Sequence, residues 1–418
     1  DYAYEKQSRE GKEHNPNYTG KLFNMIWEID TPGSCAPAYD AAFPYLAQDK
    51  VLQDLAGLSG SALDGYIRDR LLMEAARCTV DGSHRIAANY GTHQLALAKV
   101  AQALDEREQH PTSQEMLQYI LANPRVTSAA DMGLRDALLN LVYRDGLPFE
   151  SLAYNTGWVR SLTEMADGLT DLGYDAFSDP RFRRLLSWSF DVCVAGRFTP
   201  PMGDSGDMFS AGGLWSADLC ATALRHYYDP RMAWVVKSGG FKGSDLFHEP
   251  VEDTLSRLPE PGEPRIGLSS FLFPAYGLGI LQTGGDDSPA ATCLFFGSHT
   301  AHMHRDQLNL LLYAQGNPLL TDIGYPEQTD AFNHRRTGYF SNTIAHNTVV
   351  VDEVAQGRGP GTLHAFSTEG FAQLVDASCD AYPGKVGLFR RATMLVDAAP
   401  GKAYTFDVFY AHGGKQHD

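Results

Sequence analysis

From about residue 38 to residue 245, apolar side chains recur at three- and four-residue spacing, the period of helices that each bury one face. The blocks run over 61–79, 92–105, 113–123, 132–143, 158–169, 180–194 and 213–228. Turn signals separate them: Asp81-Gly82-Ser83, Asn123-Pro124, Asp145-Gly146, Ser178-Asp179-Pro180 and Pro200-Pro201-Met202-Gly203. Helices in such a series predict antiparallel pairs. Residues 256–267 read SRLPEPGEPRIG, whose three prolines cannot continue a helix. After them the period shortens to two. Runs at 277–283, 290–297, 307–314, 348–352, 371–376, 386–396 and 403–410 are β-branched or aromatic and bounded by Gly, Pro, Asp or Asn, which predicts antiparallel strands.

Helices followed by strands predict segregated α and β parts, with a boundary near residue 255, and not a parallel βαβ sheet. The sequence contains no GxGxxG after a strand and no GxxxxGK[ST], so nucleotide binding has no support.

Composition narrows the classes further. The chain of 418 residues is 43% hydrophobic and 20% charged, an ordinary globular balance. A formal net charge of −17 repels polyanions at long range and excludes the basic footprint of a nucleic-acid binder, so an acidic substrate needs a local cluster. Six scattered cysteines form no CxxC pair and indicate neither a thiolate zinc site nor a dense disulfide framework. No apolar run is long enough to span a membrane. The chain starts at Asp1 without Met and ends directly after a strand-like stretch; it reads as a fragment or processed form, one that leaves room for a lost signal peptide.

The densest chemistry lies in Ser298-His299-Thr300-Ala301-His302-Met303-His304-Arg305-Asp306. The alternatives are a solvated His-rich loop or an extended segment in which one histidine ligates a metal while another faces substrate. Further on stand Asp322 before Gly324, and His346 in Ala345-His346-Asn347-Thr348. His304, Asp322 and His346 form a sound donor set for Zn²⁺ or a similar ion. Asp322 as a turn residue and His346 as a buried histidine are the plainer alternatives. Asp204 and Asp207 in a Gly-rich stretch read as turn residues.

The pattern His302-x-His304-x-Asp306, Asp322-x-Gly324, Ala345-His346-Asn347-Thr348-Val349-Val350-Val351-Asp352 resembles the β-domain signature of heparinase II/III-like polysaccharide lyases, toroid-type alginate lyases among them. The resemblance implies an incomplete α/α toroid over 1–255 and an antiparallel β-sandwich over 256–418, truncated at its C-terminal end. It implies a mainly structural metal on His304, Asp322 and His346, with His302 facing substrate. In the helical half, Asn89-Tyr90-Gly91-Thr92-His93-Gln94 is similar to the segment that binds a uronate carboxylate, with Asn89 or Gln94 as amide partner of His93. Likewise, Phe149-Glu150-Ser151-Leu152-Ala153-Tyr154 after Asp145-Gly146 resembles the segment carrying the catalytic tyrosine, here Tyr154. Asn333-His334-Arg335-Arg336-Thr337-Gly338-Tyr339 lies between two presumed ligands. Its His334, Arg335 and Arg336 are candidates for touching substrate, and Tyr339 is a weaker catalytic candidate.

These residues suit β-elimination at a uronic acid, which needs a stabilised enolate-like carboxylate, a base for the C5 proton and an acid for the 4-O leaving group. The expected substrate is a glycosaminoglycan or alginate, and the expected location is periplasmic or secreted. A metal-dependent glycan hydrolase and a carbohydrate-binding protein without turnover are the alternatives.

Overall fold

Among the described residues helices occur between Asp30 and Ser256, and strands begin at Phe271. The computed structural model describes residues 29–81, 89–104, 109–206, 215–240, 248–285, 287–298, 301–325 and 334–418. The fold divides into two compact units, Asp1–Leu141 with Arg160–Ser178 and Val142–Val159 with Asp179–Asp418.

In the first unit lie α1 (Asp30–Leu46), α2 (Lys50–Ala56), α3 (Gly60–Ile67), α4 (Met73–Val80), α5 (Thr92–Ala103), α6 (Ser113–Ala122) and α7 (Leu134–Asn140). A single π turn over Arg68–Leu72 joins α3 to α4, so the predicted helix at 61–79 is continuous. Pairing follows the small residues. α1 packs on α5 and α5 on α6, with Ala36, Ala96, Leu97, Val100 and Ala101 buried. α1 itself was not legible from periodicity, because Pro37 and Pro44 sit inside it. α8 (Leu152–Asp171) runs from one unit into the other along the chain.

The second unit holds α9 (Pro180–Asp191), α10 (Ala217–Leu224), α11 (Pro230–Ser238) and α12 (Val251–Ser256). Asp179 and Asp229 each accept a bond from the backbone N–H two residues on, at 2.8 Å, with Pro in the first helical position, so one Asp-Pro device starts both α9 and α11.

Two antiparallel meanders complete this unit. The first orders β1 (Phe271–Phe273), β2 (Leu278–Thr283), β3 (Ala290–Phe295), β4 (Asn309–Ala314) and β5 (Asn317–Leu320); the second orders β6 (Gly361–Ser367), β7 (Ala372–Cys379), β8 (Val386–Ala399) and β9 (Lys402–Gly413). Pro318 is tolerated because β5 is an edge. The period-two alternation of β2 serves two cores. Leu278 and Ile280 join a cluster with Leu152, Trp188, Val192, Phe198 and Met202 from the helical segment. Leu281 faces the other way, into a cluster with Val375, Phe389 and Leu395 of the second sheet. Gly279 makes that second contact possible: a Cβ there would come within 2.7 Å of Val375. β2 is therefore covered on both faces, which explains its nearly unbroken apolar run. Each fully buried Leu or Phe in these clusters contributes about 1.5–3 kcal/mol.

Two expectations need correction. The change of period falls at the proline linker, but the compact division does not fall at residue 255, because α9 and the loop after it share a core with the first sheet. Residues 348–352 form no strand. Val351 makes isolated bridges to Val354 and His417, and the left-handed backbone at Asp352 and Glu353 (φ 54° and 57°) turns the chain away.

Candidate active site and metal centre

The functional residues of the second unit converge where the start of α8, the loop 200–206 and the loop 301–306 meet. Ser205 Oγ accepts from Ala153 N at 3.0 Å, satisfying a donor in the first turn of α8, and Ser151 Oγ donates to Asp204 O at 3.2 Å. Asp204 N donates to His302 O at 2.7 Å. That approach requires glycine at 203: its φ is +62°, and a Cβ would stand 2.5 Å from His302 O. The loop 200–206 is thus tied to the start of α8 through two serine hydroxyls and to His302 through its backbone.

Tyr154 lies in the first turn of α8 and stacks on the His302 ring, centroids 3.5 Å apart and planes 6° from parallel. His302 Nδ1 lies 2.9 Å from Glu150 Oε2. A carboxylate only accepts, so Nδ1 carries the proton. His302 holds a left-handed backbone (φ 55°), uncommon for a residue with a side chain, and such outliers concentrate at functional sites. Burial pushes the Tyr154 hydroxyl up to about 12, and the charges of Asp204 and Glu150 add to this against the opposing Arg336. Tyr154 is therefore a protonated acid at neutral pH.

Two residues along, His304 is 3% exposed. Its Nε2 donates to Asp204 Oδ1 at 3.0 Å, which leaves Nδ1 buried without a hydrogen-bond partner. His346 mirrors it: Nδ1 donates to Asp322 Oδ2 at 2.9 Å, and Nε2 is buried and unpartnered. Asp322 is oriented by Asn309 Nδ2 at 2.7 Å and by Gly324 N at 2.8 Å. The ligand atoms of His304, Asp322 and His346 lie within 4.8 Å of one another. Beside them Asp306 is fully buried and neither of its oxygens has a hydrogen-bond partner, so burial raises its pKa, with His346 and His304 opposing. Two bare imidazole nitrogens, an oriented carboxylate and a second, uncompensated carboxylate fit a divalent cation.

Asp204 links the two halves. Its carboxylate, 2% exposed, takes the His304 Nε2–H and also the guanidinium of Arg336, whose Nε lies 3.1 Å from Oδ1 and whose Nη2 bonds Oδ2. Although burial raises its pKa, the hydrogen bonds from His304 and Arg336 outweigh it and hold the carboxyl below its ordinary 3.8. Arg336 also lies over the Tyr325 ring, 5.6 Å from its centroid.

Most sequence candidates of the second unit are present here: Tyr154, His302, Arg336 and the His304, Asp322, His346 trio. His334 and Arg335 are exposed, and Tyr339 is 47% exposed and packs edge-on against Phe340. Asn333, Asp207 and His299 lie outside the described residues. Asn89, His93 and Gln94 belong to the first unit. Gln94 is a strut and not an amide for substrate: buried, it accepts from Gly91 N at 3.1 Å and donates to Ala130 O and Met132 O at 2.9 and 3.0 Å. His93 is 1% exposed and offers no surface to a carboxylate, whereas Asn89 is half-buried in the turn before α5. Glu150 and Asp204 were missed. Their partners lie 152 and 100 residues away, and no local spacing announces them.

Residues 266–402 match the family described as heparinase II/III-like, C-terminal. An alignment of 155 positions that covers 33% of this chain and 21% of the relative is 32% identical to an alginate lyase of Stenotrophomonas maltophilia (strain K279a). Over 93% of the chain the fold matches heparinase III with a TM-score of 0.61 at 14% identity, covering 55% of that structure. It matches a mutant of the heparan sulfate lyase HepC from Pedobacter heparinus with a TM-score of 0.59 at 12% identity, covering 54% of it. The match thus spans about a fifth of the alginate lyase, and the chain about half the length of these solved structures. At such identities the structures establish the fold alone, an α/α toroid followed by antiparallel sheets. Residues 266–402 are thus similar to the heparinase II/III-like C-terminal domain, and the fold of the chain is similar to that of heparinase III.

Proposed function

We propose that the chain is a polysaccharide lyase that cleaves uronic-acid polymers by β-elimination. The observation that carries this is the stacked pair of Tyr154 and His302, a protonated phenol against an imidazole whose Nδ1–H is committed to Glu150. His302 Nε2 takes the C5 proton, the electrons of that C–H bond form the C4–C5 double bond, and the C4–O bond breaks as the leaving oxygen takes the Tyr154 proton. Return of the proton from His302 to the tyrosinate restores the site. Arg336, with Arg335, His334 and Tyr339 on the same segment, supplies contacts to the substrate carboxylate.

The substrate class follows from charge and kinship. The matched relative is an alginate lyase, the chain carries a net −17, and the Arg336 charge is already offset by Asp204. An unsulfated uronate polymer therefore suits the site better than a densely sulfated one. Such polymers do not cross membranes, and a periplasmic or secreted location is the reading that suits them.

Zn²⁺ or a similar ion would be held by His304, Asp322 and His346 and would tie the segments carrying them together. All three side chains are buried, so an ion there is poorly placed to polarise a sugar. That speaks against a metal-dependent hydrolase.

The test is a panel of alginate, hyaluronan and heparan sulfate incubated with the protein and followed by ultraviolet absorbance. A conjugated unsaturated uronate is expected, with alginate turned over fastest. New reducing ends without the chromophore would indicate a hydrolase, and binding without products a carbohydrate-binding protein.

A further inference from the structure

We infer that Glu150 is a positioning residue for His302, and that its buried carboxylate sets which ring nitrogen is free to act. The inference rests on the lyase chemistry proposed above, and three sets of observations carry it.

The carboxylate itself cannot wander. Glu150 is 5% exposed. Its backbone N donates to Asn155 Oδ1 at 3.3 Å, and its carbonyl accepts from Asn155 Nδ2 at 3.0 Å and from the Tyr276 hydroxyl at 2.9 Å. Asn155 is itself fully buried and also donates to Pro148 O at 3.0 Å. A residue with both backbone groups clamped and its charge removed from water is held for what it faces. Among the described residues the partner of its carboxylate is His302 Nδ1.

The ring is restrained from three sides. Glu150 takes Nδ1, Tyr154 covers one face at 3.5 Å, and the backbone is fixed in the left-handed region with the His302 carbonyl bonded to Asp204 N. With the Nδ1–H spent on an acceptor-only group, Nε2 carries a lone pair and no proton. A ring held in this way loses little further freedom when substrate arrives.

The chemistry requires that tautomer. Only a bare Nε2 can take the C5 proton, and once it has done so the imidazolium Nδ1–H still points at an ionised carboxylate, which stabilises the charge that forms. Glutamine at position 150 would keep the shape but undo the selection. Its amide can accept from Nδ1–H through the oxygen or donate to a bare Nδ1 through the nitrogen, so both tautomers become populated.

The experiment has two readouts. The first needs no activity: long-range ¹H–¹⁵N correlation spectra of the histidine-labelled, metal-replete protein, with the His302 signals assigned by their loss in His302→Asn. Wild type is expected to show His302 protonated on Nδ1 and bare on Nε2, and Glu150→Gln to show a mixture. Wild-type His302 protonated on Nε2 alone would overturn the inference. The second readout is kinetic, on the best uronate polymer. Glu150→Gln is expected to lower kcat on the order of 10²-fold with KM nearly unchanged, while metal content and Tm stay at wild-type values, and Glu150→Asp is expected to recover part of the loss. Unchanged kcat in Glu150→Gln would equally overturn it. A wild type that forms no unsaturated product defeats the proposed function instead, and the tautomer spectrum still decides the role of Glu150.

Discussion

His302 and His304 are two residues apart and have opposite fates. His304 is buried, its Nε2 held by Asp204 and its Nδ1 without a hydrogen-bond partner, within a trio of residues able to hold a metal. His302 keeps 30% of its side chain accessible, stacks on a tyrosine and sits on a strained backbone. In both, a carboxylate chooses the tautomer, but the nitrogen left bare is buried in one case and belongs to a partly accessible ring in the other. One short segment therefore places one histidine in a buried group of metal-ligating residues and the other, partly accessible, against a tyrosine ring.

The sharpest way to break that contrast is to remove one group from each half. Tyr154→Phe should lower turnover by about 10²- to 10⁴-fold with metal content and Tm nearly unchanged, since the hydroxyl supplies a proton and no packing. His304→Ala should do the reverse in emphasis. It should abolish metal binding and cost on the order of 3 kcal/mol by leaving a buried acidic cluster uncompensated, visible as a fall in Tm of the purified protein together with loss of metal by elemental analysis. Equal loss of stability in both variants would erase the distinction.

Asp204→Asn probes the link between the halves. It should weaken metal affinity about 10- to 100-fold, read by competition with a chromophoric chelator, because His304 loses the charged acceptor that orients it. The same variant carries a pH signature. The Asp204 carboxyl is held below its ordinary 3.8 in the folded chain, so its stabilising contribution is present above that value and lost as the pH falls below it. The Tm difference between wild type and Asp204→Asn should therefore close in acid. The smallest effect concerns Tyr154. With its hydroxyl pushed up to about 12, the proton persists well beyond the alkaline range where a free tyrosine would lose it, so turnover should show no decline near pH 10, the value of an unperturbed tyrosine.

Much of the fold was legible because the relevant physics is local. Spacing announced α5, α6 and α9 and the strands β2 to β4, and three prolines announced the change of period. The trio of His304, Asp322 and His346 was legible through motif. Glu150, Asp204 and Asp306 were not recognised for their roles, because each owes its importance to burial and to partners that only folding supplies. Gln94 and His93 erred the other way. They stand in a stretch rich in functional residue types, yet folding spends the Gln94 amide on three backbone groups and buries the His93 ring.

The most direct measurement is the ultraviolet absorbance of alginate incubated with wild type and with Tyr154→Phe, at matched metal content and Tm. A rising unsaturated-uronate signal in wild type, reduced at least 10²-fold in the variant, is the predicted result. Cleavage by wild type without that signal, or an undiminished signal in Tyr154→Phe, would contradict it.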